Sequence, residues 1–353
     1  MKKALFEDIY ASVFADSKRW RRWFFDEVVT DSADDDIFIV GDSAGRPSAS
    51  ALLKPYGFVY AGATLPSGYI SCVATKPEAR TRGLASQAVE QALAEAKSRG
   101  YAFCELIPAN RSLYSFYSRF GFADAFYADE ERYTSLHDFA GGEGTPVEPS
   151  YALFHRIEST VGCGVVHSEA DYRHIVADLA FEKGSSQVFV DGADGGACLF
   201  AAWDPSRPDG TVTVRSLMAE TESAALAALS TLRAEAGARP FTVWRPPFSG
   251  EKAHLRVRGM ARIVCPETVL GALAAAHPSL DTTIRITDRL FDNNSAIYRL
   301  AGARCVKTDA IKGRPALDVP VGVLTSILFS SEKTGEIFSL PTRRPYMALM
   351  LDC

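Results

Sequence analysis

The sequence predicts a fold of mixed α/β and α+β class: two α/β segments with a shared rhythm, then a small α+β segment. Three observations carry this. Strand-like and helix-like stretches alternate through residues 37–107 and again through 187–244. A Gly/Pro-rich stretch from Gly141 to Pro146 separates the two, and Pro246, Pro247 and the polar residues up to Arg258 mark a second break. The remainder is strand-rich with short helices, and about ninety residues suffice for one small domain. The expected spans are 1–140, 141–255 and 256–353.

Composition narrows the class. The 353 residues leave room for two or three domains. Hydrophobic residues at 47% and charged residues at 23% exclude a disordered, collagenous or disulfide-scaffold chain. Lys and Arg number 38 against 43 Asp and Glu, a formal charge of −5. This argues against a bulk nucleic-acid binder and suits a cationic substrate. Glu7 and Asp8 interrupt the apolar run after Lys2 and Lys3, so no signal-peptide core forms. No window reaches the ~20 apolar residues of a membrane span. The seven cysteines are scattered singly, without CxxC pairs. That pattern fits free thiols in a reducing compartment, with no metal site, and a cytoplasmic location is expected.

Residues 4–29 read as two short helices. In the second, Trp20, Phe24 and Val28 recur at helical spacing among Lys18, Arg19, Arg21 and Arg22. A basic and aromatic run can bind nucleic acid; an amphipathic helix with inward aromatics is the plainer reading. Strands follow at Ile37–Val40, Ser48–Leu53 and Tyr69–Thr75, separated by the turn residues Gly41-Asp42-Ser43 and Pro66-Ser67-Gly68. A helix over Leu84–Ser98 keeps small and apolar residues at helical spacing until Gly100 stops it, and Ala102–Ile107 is a strand. The second segment carries strands at Gln187–Val190, Ala197–Trp203, Val212–Met218 and Phe241–Trp244, with an Ala/Leu-rich helix over Glu222–Ala236. In the last segment strands are expected at Thr283–Thr287, Ala296–Leu300 and Ala316–Val319. A helix is expected near Val321–Phe329, and the apolar run Tyr346–Leu351 is expected in a sheet.

The most informative stretch runs from Val73, Ala74 and Thr75 through Arg80, Thr81, Arg82, Gly83, Leu84 and Ala85 to Ser86. It joins a strand to a helix. A helix N-terminus presents unpaired N–H groups and the positive end of the dipole, an anion site suited to a pyrophosphate. Gly83 lets backbone approach the phosphate, Ala85 keeps the first turn slim, and Arg80 and Arg82 add charge. The corresponding stretch of the second segment, Ala219 to Ser223, carries Glu220 and Glu222, which would repel phosphate. Downstream of the loop lies a second element, Asn110-Arg-Ser112-Leu-Tyr-Ser-Phe-Tyr117-Ser-Arg-Phe-Gly-Phe122.

Together the two elements resemble the acetyl-CoA site of the GNAT acetyltransferases. The resemblance implies that the loop amides hold the CoA pyrophosphate and that the strand Val73–Thr75 holds the pantetheine and polarises the acetyl carbonyl. It implies further that Asn110 and Ser112 contact the coenzyme and that Tyr117 protonates the leaving thiolate. The strand before the loop has no acid to act as base. The whole layout is similar to the Eis (enhanced intracellular survival) acetyltransferases: a catalytic GNAT domain, a degenerate GNAT-like domain without the loop, and a C-terminal domain similar to sterol carrier protein (SCP2) folds. This likeness extends over nearly the full length, strongly in the first segment and architecturally in the others. It implies that the terminal α-carboxylate of Cys353 is the base, with Asp352 contacting the acceptor amine; Glu105 is the fallback base. It implies an acceptor that is a small polycationic amine of aminoglycoside or polyamine type, lined by Trp20, Phe24 and Phe25. A protein lysine side chain, or a non-catalytic acyl-CoA or lipid-binding role, is the alternative. A homo-oligomer, often a hexamer in that family, is implied as well.

Overall fold

The structure is a computed structural model and describes residues 2–30, 33–247, 254–309, 314–340 and 343–351. The chain divides into two compact units: the first takes residues up to 126 and from 259 to 344, the second residues 127–258 and 345–351.

In the first unit, α1 (Lys2–Ala11) and α2 (Lys18–Trp23) open the chain. The Ser17 side chain accepts from the Trp20 N–H and caps α2. A π turn over Phe24–Val28 continues it. Phe24, Phe25 and Val28 are each buried. Phe25 meets the rings of Phe6 and Tyr10 at 5.2 and 5.4 Å, so the aromatic stripe faces a core. β1 (Ile37–Gly41), β2 (Pro47–Tyr60), β3 (Ala63–Thr75), α3 (Leu84–Ser98), β4 (Phe103–Leu106) and α4 (Arg111–Ser118) follow. β1, β2 and β3 pair antiparallel in turn, and β4 joins β3 in parallel. α3 buries Ala88, Val89, Ala92, Leu93 and Ala96 in the core beneath the sheet.

One expectation fails here. Pro66-Ser67-Gly68 is not a turn but the middle of β3, paired with Gly57, Tyr56 and Pro55 of β2. The reversal lies at Ala61 and Gly62, whose φ of 51° and 77° supply the two left-handed residues of a tight hairpin. Gly68 is needed for space: a Cβ there would lie 2.5 Å from Leu53 and 2.9 Å from Tyr101.

The second unit repeats the rhythm. Its elements are β5 (Ala123–Tyr133), which the chain enters while leaving the first unit, β6 (Thr145–Val147), α5 (Tyr151–Val161), β7 (Gly164–Val166), α6 (Glu169–Leu179), β8 (Gly184–Asp191), β9 (Ala197–Trp203), β10 (Val212–Ala219), α7 (Glu222–Ala236) and β11 (Phe241–Arg245). β9 and β10 pair antiparallel, α7 crosses over, and β11 joins β10 in parallel, as β2, β3, α3 and β4 do. One core lies against α7, another against α5 and α6. The run Tyr346–Leu351 was expected in a sheet; among the described residues its strand pairing is one bridge at Tyr346, whose N–H donates to the Cys163 carbonyl and whose carbonyl accepts from the Val165 N–H, with Tyr346, Met347 and Ala348 buried. Its backbone is held by core burial rather than by a ladder.

The rest of the first unit is β12 (Leu255–Ile263), whose Met260–Ile263 pair antiparallel with β4, α8 (Pro266–Ala276), β13 (Thr282–Thr287), β14 (Ala296–Ala301), β15 (Arg304–Thr308), β16 (Leu317–Pro320), α9 (Val321–Leu328) and α10 (Ser331–Phe338). β15-β14-β13-β16 form a four-stranded sheet, the α+β portion expected of the last segment. Arg262 and Asp288, both buried, pair at 2.7 Å. Cys104, Cys163, Cys198, Cys265 and Cys305 are free. Cys72 is disulfide-bonded, so the free-thiol expectation fails there. No helix among the described residues is long and apolar enough to cross a membrane.

Candidate active site

The site is built on the way β3 parts from its neighbours. β3 and β4 pair only at Ser67–Phe103, Gly68–Cys104 and Tyr69–Glu105; β3 then continues to Thr75 while β4 stops at Leu106. The two strands open as a wedge. Opposite β2 the register slips between Ser50 and Leu52, so Cys72 and Val73 both face Ala51. This is a bulge, and Cys72 has φ of 50°. A bulge beside a wedge frees and re-aims backbone amides along Val73–Thr75. The Thr75 hydroxyl is buried with no hydrogen-bond partner among the described residues.

The loop after β3 is shaped for an anion. Thr81 and Gly83 take φ of 65° and 78°, and Gly83 is the N-cap of α3. Glycine is required there for its backbone angle; a Cβ would meet nothing within 4 Å. With no side chain at the cap, the first N–H groups of α3 have no side-chain acceptor. Arg80, Thr81 and Arg82 are exposed around them, Leu84 is buried, and Ala85 and Ser86 are half-buried. α7 of the second unit is the contrast. Its cap Thr221 accepts from the Ala224 N–H, and Glu220 accepts from Gly196 N–H and Arg156. That helix end is already satisfied and acidic.

α4 supplies the second element. Asn110 caps it, its Oδ1 accepting from the Ser112 N–H at 3.0 Å and from the Ser112 hydroxyl at 2.5 Å. Tyr117 is 7% exposed and lies in the same core cluster as Leu84, with Val73 packed against it. Its ring meets Phe116 and Phe122 edge-on at 5.0 and 6.0 Å. Burial pushes its hydroxyl pKa up to about 12. The phenol therefore carries its proton throughout the neutral range.

Glu105 stands on β4 at the last paired position of the wedge, fully buried. Ser67 donates to its Oε1 at 2.7 Å, and Oε2 has no partner among the described residues. Burial raises its pKa to about 8, against the smaller opposing effect of the Ser67 hydrogen bond. Ser67 was missed in the sequence, where it was read as a turn residue; recognising Leu65–Ile70 as one continuous strand would have placed it beside Glu105.

Of the expected acceptor residues, Phe24 and Phe25 are core side chains, and Trp20 stacks on Phe24 at 4.9 Å with part of its surface exposed. Asp352 and Cys353 lie outside the described residues.

Residues 4–125 match the acetyltransferase (GNAT) domain family. No curated protein sequence matches the chain. The fold is similar to that of Eis1 from Mycobacterium abscessus, with TM-score 0.69, 17% identity, and coverage of 97% of this chain and 90% of that one. A GCN5-related N-acetyltransferase from Anabaena variabilis aligns with TM-score 0.73 and 14% identity over 95% of this chain and 89% of the other. A GCN5-related N-acetyltransferase from Kribbella flavida gives TM-score 0.70 and 18% identity over 96% and 89%. The chain thus shares the fold of these proteins over nearly its whole length, and its residues 4–125 match a GNAT acetyltransferase domain.

Proposed function

We propose that the protein is an acetyl-CoA-dependent N-acetyltransferase acting on a primary amine. The observation that carries this is the glycine-capped α3 N-terminus at the end of a bulged, splayed strand, with Tyr117 in the same core cluster. The residues fit the coenzyme: the uncapped N–H groups of α3 with Arg80 and Arg82 suit a pyrophosphate, and the unpartnered Thr75 hydroxyl suits a polar chain in the wedge. Bound there, acetyl-CoA supplies an activated acetyl thioester.

The chain's own groups orient and move protons. Backbone N–H groups of Val73–Thr75 hydrogen-bond the carbonyl oxygen as negative charge develops on it. Asn110 and Ser112, tied together in the α4 cap, contact the coenzyme in this reading. Tyr117 holds its proton at neutral pH and donates it to the departing sulfur. Holding both substrates in the wedge makes the transfer effectively unimolecular.

In this reading Glu105 is the proton acceptor. It is buried at the wedge with one free oxygen, and it becomes a carboxylate as pH passes about 8. The alternative acceptor, carried from the resemblance, is the α-carboxylate of Cys353 beside Asp352. A polycationic amine of aminoglycoside or polyamine type fits the net charge of −5. The sterol-carrier likeness and a hexameric assembly rest on the resemblance alone.

The test is release of free CoA thiol from acetyl-CoA with polyamines, aminoglycosides and lysine peptides. Saturable release with small amines supports this acceptor class, and release with peptides alone favours a protein acceptor. Release with none of them contradicts the enzymatic reading.

A further inference from the structure

Ser67 is fully buried, and among the described residues it is the one hydrogen-bond donor that meets Glu105. Regular sheet places both side chains. In the ladder of β3 and β4, Ser67 stands opposite Phe103, and Glu105, two residues on, stands opposite Tyr69. Residues opposite each other share a face, as do residues two apart on one strand, so Ser67 and Glu105 form a diagonal pair. Both belong to the paired part of the ladder, before the wedge opens, and backbone pairing sets their separation. The Ser67 hydroxyl donates to Oε1 of Glu105 at 2.7 Å.

That hydroxyl has one proton and two acceptors within reach. The Tyr56 carbonyl, opposite Ser67 on β2, lies 3.3 Å from the same oxygen. The shorter contact goes to Glu105, and a donor is worth most to an ionised acceptor. When Glu105 is neutral, the Tyr56 carbonyl remains as an acceptor for the serine proton. Rings surround the pair: Phe103 packs on Phe58 at 4.8 Å and on Phe329 at 5.2 Å. Such a setting penalises a carboxylate that has no donor. On the same face the ladder brings Lys54 and Tyr69 into line with Glu105, and Tyr56 into line with Ser67. β12 sets the uncharged Ala261 opposite Glu105. Arg262 and Cys104, opposite each other, belong to the other face, where Arg262 pairs with Asp288.

We propose that Ser67 is the positioning residue of the proton acceptor: it anchors Oε1 of Glu105 and leaves Oε2 as the oxygen that receives the proton of the attacking amine. The inference rests on the reading of Glu105 as base and deepens it. Oε2 has no partner among the described residues, so the anchored carboxylate keeps one oxygen for the reaction. In this role Ser67 acts through Glu105 alone.

The test follows Glu105 itself, by carbon NMR of the full chain labelled at its glutamate carboxyls, with the signal assigned by its loss in Glu105→Gln. In the wild type it should titrate at about pH 8. In Ser67→Ala the midpoint should rise by about one pH unit, because the lost bond is stronger to the charged form than to the neutral one. Ser67→Cys keeps the side-chain shape with a weaker donor, and its midpoint should fall between the two; it carries the test if the alanine variant does not fold. The rise of kcat/KM should move with the midpoint, and acetyl-CoA affinity, titrated directly, should not change. A midpoint that stays put in the folded variants overturns the positioning role. A midpoint that moves while the kcat/KM profile does not overturns Glu105 as the base, and Ser67 with it, and leaves the acetyl-CoA reading standing. Joint loss of kcat and coenzyme affinity with neither titration shifted marks Ser67 as purely structural and overturns the proposal too.

Discussion

At the scale of single residues, the proposed chemistry turns on two groups whose surroundings push their pKa values upward. Tyr117 is buried among phenylalanines, and its raised pKa keeps it an acid. Tyr117→Phe should lower kcat by about 10²–10⁴-fold while leaving acetyl-CoA affinity unchanged; equal losses in both, measured by steady-state kinetics and direct titration, would contradict the acid role. Glu105 titrates near pH 8 rather than at its ordinary 4.5. A carboxyl with a higher pKa in the folded state binds its proton more tightly when folded. Its stabilising contribution is full below about pH 4.5 and is lost as pH rises through about 8. Urea unfolding of the wild type should therefore weaken across that window by up to about 1.4 kcal/mol per pH unit, and Glu105→Gln should flatten the slope. If Glu105 is also the base, the same variant removes the rise of kcat/KM near pH 8; if another carboxylate serves instead, wild type and variant share one pH profile. The motif that proposes Tyr117 is local and can be read in the sequence. The burial of Glu105 cannot, because it depends on Ser67, 38 residues away.

At the scale of elements, helices with dense small-residue spacing were readable to the residue. α3 and α7 begin and end where Leu84–Ser98 and Glu222–Ala236 place them. β2 and β3 were read too short because Pro55, Gly57, Pro66 and Gly68 carry turn chemistry. The ladder sets Pro55 opposite Gly68 and Gly57 opposite Pro66, so each ring faces a residue with no side chain. Local propensity could not show that pairing. α5 and α6 went unread; they bury the polar residues Glu158 and Asp171, and His167 between them is buried as well. Glu158 and His167 bond at 2.6 Å, and Asp171 closes a capping box with Ser168. Arg262 of β12 is a comparable case: a buried charge made tolerable by Asp288 and by the Phe120 carbonyl at the end of α4. Arg262→Met should destabilise the protein by about 3–5 kcal/mol in chemical denaturation, because Asp288 would stay buried without its cation. A loss below about 1 kcal/mol, the range of exposed pairs, would contradict this account of the pair.

At the scale of the whole molecule, three spans were expected along the sequence, whereas contacts gather the chain into two compact units, with residues 259–344 grouped with the first segment. The pairing that gathers them, Met260–Ile263 with Leu106–Phe103, joins strands some 150 residues apart and leaves no local trace in the sequence. The duplication was visible as rhythm, and the structure gives it as a matching strand order. The chemistry is not duplicated: one crossover helix opens on a bare glycine cap, the other on Thr221 and Glu220. The central claim is that this single loop serves acetyl transfer to nitrogen. The most direct measurement is to incubate the protein with acetyl-CoA labelled in the acetyl group and a polyamine, and to follow the label by mass spectrometry. The label is predicted to appear as an amide on the amine, in step with free CoA. Label that stays on CoA, or leaves only as acetate, would contradict it.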